Sequence, residues 1–102
     1  MQNDIEQALS QIKKRDGRIV TFDQNLITNA ILKAMQAIGE GSPEEALRVS
    51  KSVVSDLREK YRSGGLPGIE EIQDIVEQKL ILMDFGKTAK AYILYRHNRA
   101  II

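Results

Sequence analysis

From Leu26 onward the apolar residues recur at steps of three and four, and this periodicity restricts the chain to helices packed side by side. In residues 24–38 the apolar positions are Leu26, Ile27, Ala30, Ile31, Ala34, Met35 and Ile38, one face of a 3.6-residue helix. Asp23 is placed to cap it, Phe22 can staple onto Ile27, and Gly39 ends it. Ser42-Pro43-Glu44-Glu45 reads as a second start: a capping serine, proline at the first helical position, and glutamate three residues after the cap. The spacing predicts a helix over residues 43 to 62 that buries Leu47, Ser50, Val53, Val54, Leu57 and Tyr61 and stops at Gly64-Gly65. Residues 69–83 form a third, with Ile69, Ile72, Val76, Leu80 and Met83 inward and Glu70, Glu71, Asp74 and Glu77 on a solvated face. Asp84 is expected to cap the last, whose stretch 89–95 is apolar or aromatic on nearly every side apart from Lys90. Such a helix packs on more than one side, so a central place is expected for it.

Ahead of the helices, "IKKRDGRIVTFD" (residues 12–23) carries a different signal. Asp16-Gly17 marks a two-residue hairpin turn of type I′, pairing residues 11–15 with residues 18–22. In that register Lys14 faces Ile19 and Ile12 faces Thr21, which gives an apolar underside with one long cation near its tip. Arg15 and Arg18 meet at the turn on the opposite face, and Lys13 lies beside Val20. Cations at a turn can simply keep a sheet edge soluble and unpaired. They also suit a flap closing over a ligand with a flat apolar part and a phosphate tail. The hairpin alone leaves both readings open.

Chemistry by the chain itself is poorly supplied. His97 is the single histidine, no nucleophile elbow marks a serine partner for it, and the carboxylates show no metal-ligand spacing. No catalytic residue and no metal ligand is assigned. With no cysteine, disulfides, zinc ribbons and thiol nucleophiles are excluded. Fifteen Lys and Arg against fourteen Asp and Glu leave a net charge of +1, so anion binding must be local and nucleic acid is disfavoured as a partner. No run reaches membrane-spanning length and the N-terminus lacks a signal-peptide core, so a soluble cytoplasmic protein is expected, with no membrane partner.

Taken in order, "IKKRDGRIVTFD", an amphipathic helix, "IEEIQDIVEQKL" and "TAKAYILYRHNR" resemble the ATP-cone domain, the allosteric nucleotide-binding module at the N-terminus of many ribonucleotide reductases. The resemblance covers residues 10–100. It implies a mainly α fold with a small β-hairpin (α+β): a four-helix bundle capped by an N-terminal two-stranded antiparallel hairpin, here residues 10–102 after a polar lead-in at 1–9. It also implies ATP or dATP as allosteric effector beneath the hairpin, with Mg²⁺ able to accompany the triphosphate. Carried over from the family, Lys14 and Arg15 contact phosphates and Ile12 lines the pocket. Asp23 and Ile27 contribute from the start of the first helix and Gln73 from the third, while Lys90, Arg96, Asn98 and Arg99 are the candidates on the last.

Many cones have a lysine where this chain has Leu26, and there it reaches the phosphates. Either Arg96 or Arg99 substitutes, or affinity is reduced or lost. The family's partners are the catalytic domain or subunit of the reductase and, in some members, a second cone. The implied role is regulation: ATP permits activity, dATP shuts it down, and conformational or oligomeric change carries the switch. The alternative is a free-standing or degenerate cone that acts as a helical interaction and oligomerisation module without nucleotide.

Overall fold

The computed structural model describes residues 9–101, with side chains described through Asn98; the first eight residues of the lead-in, residue 102 and the Arg99 side chain lie outside it. Two strands, β1 (Gln11–Lys13) and β2 (Ile19–Thr21), pair antiparallel. Four helices follow: α1 (Gln24–Ile38), α2 (Pro43–Lys60), α3 (Ile69–Leu82) and α4 (Gly86–Ile101). This is the hairpin-capped four-helix architecture expected from the sequence.

Local chemistry explains where the first two helices begin. The Asp23 carboxylate accepts from the Asn25 amide at 2.9 Å, and Gly39, left-handed at φ 69°, closes α1 with its amide on the Met35 carbonyl. At α2 the Ser42 hydroxyl accepts from the Glu45 amide at 3.2 Å and donates to the Glu45 carboxylate. The reciprocal bond of the capping box therefore goes to the hydroxyl rather than to the cap's own backbone amide.

Asp84 does something else than expected. It is the one described non-glycine residue at positive φ, 71°, and its amide donates to the Ile81 carbonyl while that of Phe85 donates to Leu80 at 2.7 Å. This paired pattern is a Schellman motif, so Asp84 finishes α3 rather than starting α4. The Phe85 carbonyl accepts the first helical bond of α4, from Ala89, and Phe85 has no side-chain oxygen to offer as a cap. Glu40, from the α1–α2 loop, supplies it: its carboxylate accepts from the Thr88 amide at 2.8 Å and from the Thr88 hydroxyl at 2.7 Å. A carboxylate there also meets the positive end of the helix dipole.

The helices close into a ring, in which α1 packs on α2 and α4 while α3 packs on α2 and α4. No helix is more central than the others, which corrects the expected central place of α4; Ile93 and Leu94 face solvent, Leu94 at 63% exposure. Ile31, Met35, Val53, Leu57, Val76 and Leu80 fill the middle, none more than 1% exposed, and burial of one such side chain contributes about 1.5–3 kcal/mol. Leu9 is buried with them. On α2 the stripe is shifted toward Ala46 and Val49, and Leu47 is exposed. Buried Ser50 is satisfied by the Thr28 hydroxyl at 2.7 Å. Among the described residues no helix is long and apolar enough to cross a membrane.

The hairpin differs from expectation by one residue. The partners are Gln11 with Thr21, Ile12 with Val20 and Lys13 with Ile19. The Lys14 amide donates to the Arg18 carbonyl at 2.8 Å, the Gly17 amide to the Lys14 carbonyl at 3.0 Å, and only Gly17 has positive φ, 90°. The loop is therefore Arg15-Asp16-Gly17, a three-residue turn ending in left-handed glycine, and not a type I′ pair. A slip of one residue turns β2 over: Val20 and Phe22 share the inner side with Ile12, and Ile19 stands outside at 55% exposure. Gly17→Ala should cost about 1 kcal/mol through its left-handed φ, read as a lower urea midpoint, whereas Asp16→Ala should lose only the local bonds of Asp16 to the Arg18 amide and guanidinium.

Candidate functional site

The hairpin lies over one end of the bundle, held by the Lys13 amide, which donates 2.9 Å to the carbonyl of buried Pro67 just before α3. Ile12 and Phe22 root its underside in the core. This anchorage carries the loop to the first turns of α3. There Arg15 Nε donates to Glu70 Oε2, and Arg15 Nη2 donates to Gln73 Oε1 at 2.9 Å.

The same Glu70 carboxylate receives a second arginine. Arg96, near the C-terminal end of α4, places Nη2 2.7 Å from Glu70 Oε1 and Nη1 against Glu77 and 2.9 Å from Asp74. Its side chain is only 17% exposed. Burial opposes the Arg96 charge, but the bonds to Glu70, Glu77 and Asp74 outweigh it and hold the guanidinium charged above its ordinary value. Hydrogen bonds from Arg96 first and Arg15 second hold the Glu70 carboxyl below its usual range. The acids of α3 are thus not a plain solvated face: Glu70, Asp74 and Glu77 serve as counterions for two arginines.

Two further groups lie near this end. Tyr92 is 4% exposed, its phenol is pushed up by burial, and it lies within the fields of Arg96, Glu77, Tyr95 and Arg15. Across the α2–α3 turn, Glu71 accepts from the Tyr61 hydroxyl and from Lys60 Nζ. The bond to Glu71, with burial added, pushes the Tyr61 phenol up to about 12. Burial alone would raise Glu71, but these donors hold it low.

The structure therefore brings together Arg15, Gln73 and Arg96, with Ile12 inward beneath the hairpin and Lys14 exposed at its tip without an ion pair among the described residues. Asp23 is spent on capping α1, and Ile27 packs half-buried against the core. Lys90 is not with them: it lies six residues before Arg96, about 120° round the helix, and is exposed, as is Asn98. Leu26 is 67% exposed and lines a groove of about 440 Å³ between α1 and α4 with Asn29, Lys33, Gln36 and Tyr95. Sequence reasoning missed Glu70, Asp74, Glu77 and Tyr92. Only the 70, 74, 77 spacing, which puts three acids on one stripe of α3 beside a cationic helix end, could have signalled the first three.

Fold and site together define a small helical bundle whose open end is closed by an arginine-tipped hairpin. The chain matches the ATP cone domain over residues 10–101 and belongs to that family. It is 42% identical over 99 residues, 92% of its length, to a vitamin B12-dependent ribonucleoside-diphosphate reductase of Thermoplasma acidophilum. It is 35% identical over 86 residues to an anaerobic ribonucleoside-triphosphate reductase of Haemophilus influenzae, and 38% identical over 102 residues to a ribonucleoside-diphosphate reductase subunit alpha of Chlamydia muridarum. The matches take 84% of this chain for the second and 92% for the third. The chain spans only 12%, 12% and 10% of these three relatives, the short share that a regulatory domain would occupy.

Proposed function

We propose that this chain is the ATP- and dATP-binding regulatory domain of a cytoplasmic ribonucleotide reductase, sensing the ratio of the two nucleotides and switching the activity of a catalytic domain or subunit. The observation that carries this is the meeting of Arg15 from the hairpin and Arg96 from α4 on the single carboxylate of Glu70 in α3, with Gln73 accepting a second bond from Arg15. Guanidinium forks that hold a carboxylate suit phosphate oxygens equally well. Lys14 and Arg15 bind the phosphates from above, Arg96 from below, and Ile12 offers an apolar wall to the base. In this reading Mg²⁺ accompanies the triphosphate.

ATP and dATP differ by one hydroxyl, so opposite effects require that each favour a different arrangement of the domain or of its packing on a second cone. The tip of the hairpin is the element placed to report that difference, because Arg15 bonds α3 there and, in this reading, also contacts the nucleotide. Calorimetric titration with each nucleotide tests the reading, and saturable binding is expected for both. Lys14→Ala should weaken ATP about tenfold, the worth of one charge-assisted contact, and leave adenosine nearly unaffected. Equal losses for both would remove Lys14 from the phosphate site.

Leu26 favours a second reading. It sets an exposed apolar side chain where related cones place a phosphate-reaching lysine. Absence of saturable binding of either nucleotide at millimolar concentration would leave a helical interaction module.

A further inference from the structure

We infer that Glu70 is an internal anion that the nucleotide phosphates must displace, so that the free domain holds its own phosphate-binding arginine shut; the inference rests on the nucleotide reading above. Arg15 and Arg96 grip opposite oxygens of this one carboxylate, Oε2 and Oε1. Each guanidinium gives Glu70 one nitrogen, and a phosphate oxygen is an equally good charged acceptor for it. Glu70 and a phosphate therefore compete for the same donors.

The two arginines are not equally committed. Without Glu70, Arg96 keeps Asp74 and Glu77, whereas Arg15 keeps, among the described residues, only the neutral Gln73. Arg15 is the partner that changes hands. Its release is sterically open, since the Glu70 side chain is 55% exposed. The hairpin remains attached through the Lys13 amide and Pro67 carbonyl, so the exchange moves the tip without undocking the strands. The affinity measured for a nucleotide is then its intrinsic affinity reduced by the fraction of molecules in which Arg15 is already free.

Glu70→Gln keeps the side-chain shape and removes the charge. ATP and inorganic tripolyphosphate should bind this variant about three- to tenfold tighter, the range expected for lifting a partly exposed ion pair from a binding equilibrium. Adenosine, which has no phosphate to place on Arg15, should bind unchanged. In the nucleotide-free variant the Lys14 amide, which closes the loop on the Arg18 carbonyl, should exchange with solvent faster. Glu59→Gln removes one charge elsewhere, near the C-terminal end of α2 where Glu59 pairs with Arg62, and should leave ATP affinity within about twofold. Unchanged or weaker ATP binding by Glu70→Gln, or an equal gain in Glu59→Gln, overturns the proposal. Failure of the wild-type chain to bind ATP or dATP overturns the nucleotide reading itself, a distinct outcome.

Discussion

Gly41→Ala should be the most damaging single-methyl change in the described chain, lowering stability by about 2–4 kcal/mol and Tm by about 10–20 °C. Gly41 has φ 81°, a left-handed conformation that costs an alanine about 1 kcal/mol. A Cβ there would lie 2.4 Å from the Met35 sulfur and 2.9 Å from its terminal methyl. Methionine is flexible, but Met35 is 1% exposed in the core cluster, so relief means displacing packed neighbours. Gly39→Ala separates the two costs, because Gly39 is also left-handed, at φ 69°, yet its Cβ would meet nothing within 4 Å. That variant should lose only about 1 kcal/mol. Equal losses in urea unfolding would mean that Met35 moves aside freely.

The second large effect is expected at Arg96. Arg96→Met keeps much of the volume and removes the charge shared by Glu70, Asp74 and Glu77, leaving three carboxylates on one stripe of α3. Glu77 is the costly one, with a side chain only 22% exposed and no other cation bonded to it among the described residues. Stability at pH 7 should fall by about 1–3 kcal/mol. The pH dependence identifies the cause. In the wild type Glu70 has a folded pKa below its ordinary 4.5, so its contribution is present above that value and is lost as pH falls through the lowered one. In the variant Glu70 has lost the first of the two arginines that hold its carboxyl low and keeps only Arg15, so less of its stabilisation remains to be lost as pH falls. Urea unfolding at pH 7 and pH 4 should show the gap between the proteins narrowing. A constant gap would assign the loss to packing instead.

Short-range features were legible in the sequence because their determinants are short-range. The bounds of α1, the Ser42 cap and the Gly39 stop each follow from residues within one turn of the feature. The hairpin was legible as a hairpin, but its register was not: Asp16-Gly17 fits a two-residue turn and also the end of a three-residue one, and docking on Pro67 and the core involves residues far along the chain. Asp84 was misplaced because a residue between two helices can end one or begin the next. What selected the ending was the left-handed turn, with Glu40 available to cap α4 in its stead. The α3 acids were misread for a similar reason. A stripe of carboxylates looks solvated until Arg15 and Arg96, from two distant elements, arrive on it. The candidate binding residues came from family likeness, and the structure adds which of them stand side by side.

The clasp of Glu40 on Thr88 also bears on how the chain is assembled. The two residues are separated by 48 positions, and the helix that bears Thr88 is one of the two neighbours of α1. During synthesis on the ribosome, α1 and α2 emerge first and can pair, but α1 keeps a bare flank and Glu40 has no amide to cap until the last helix has left the exit tunnel. Completion therefore waits for the last of the four helices, a ring closure between the earliest and latest helices of the domain rather than a growth from one end.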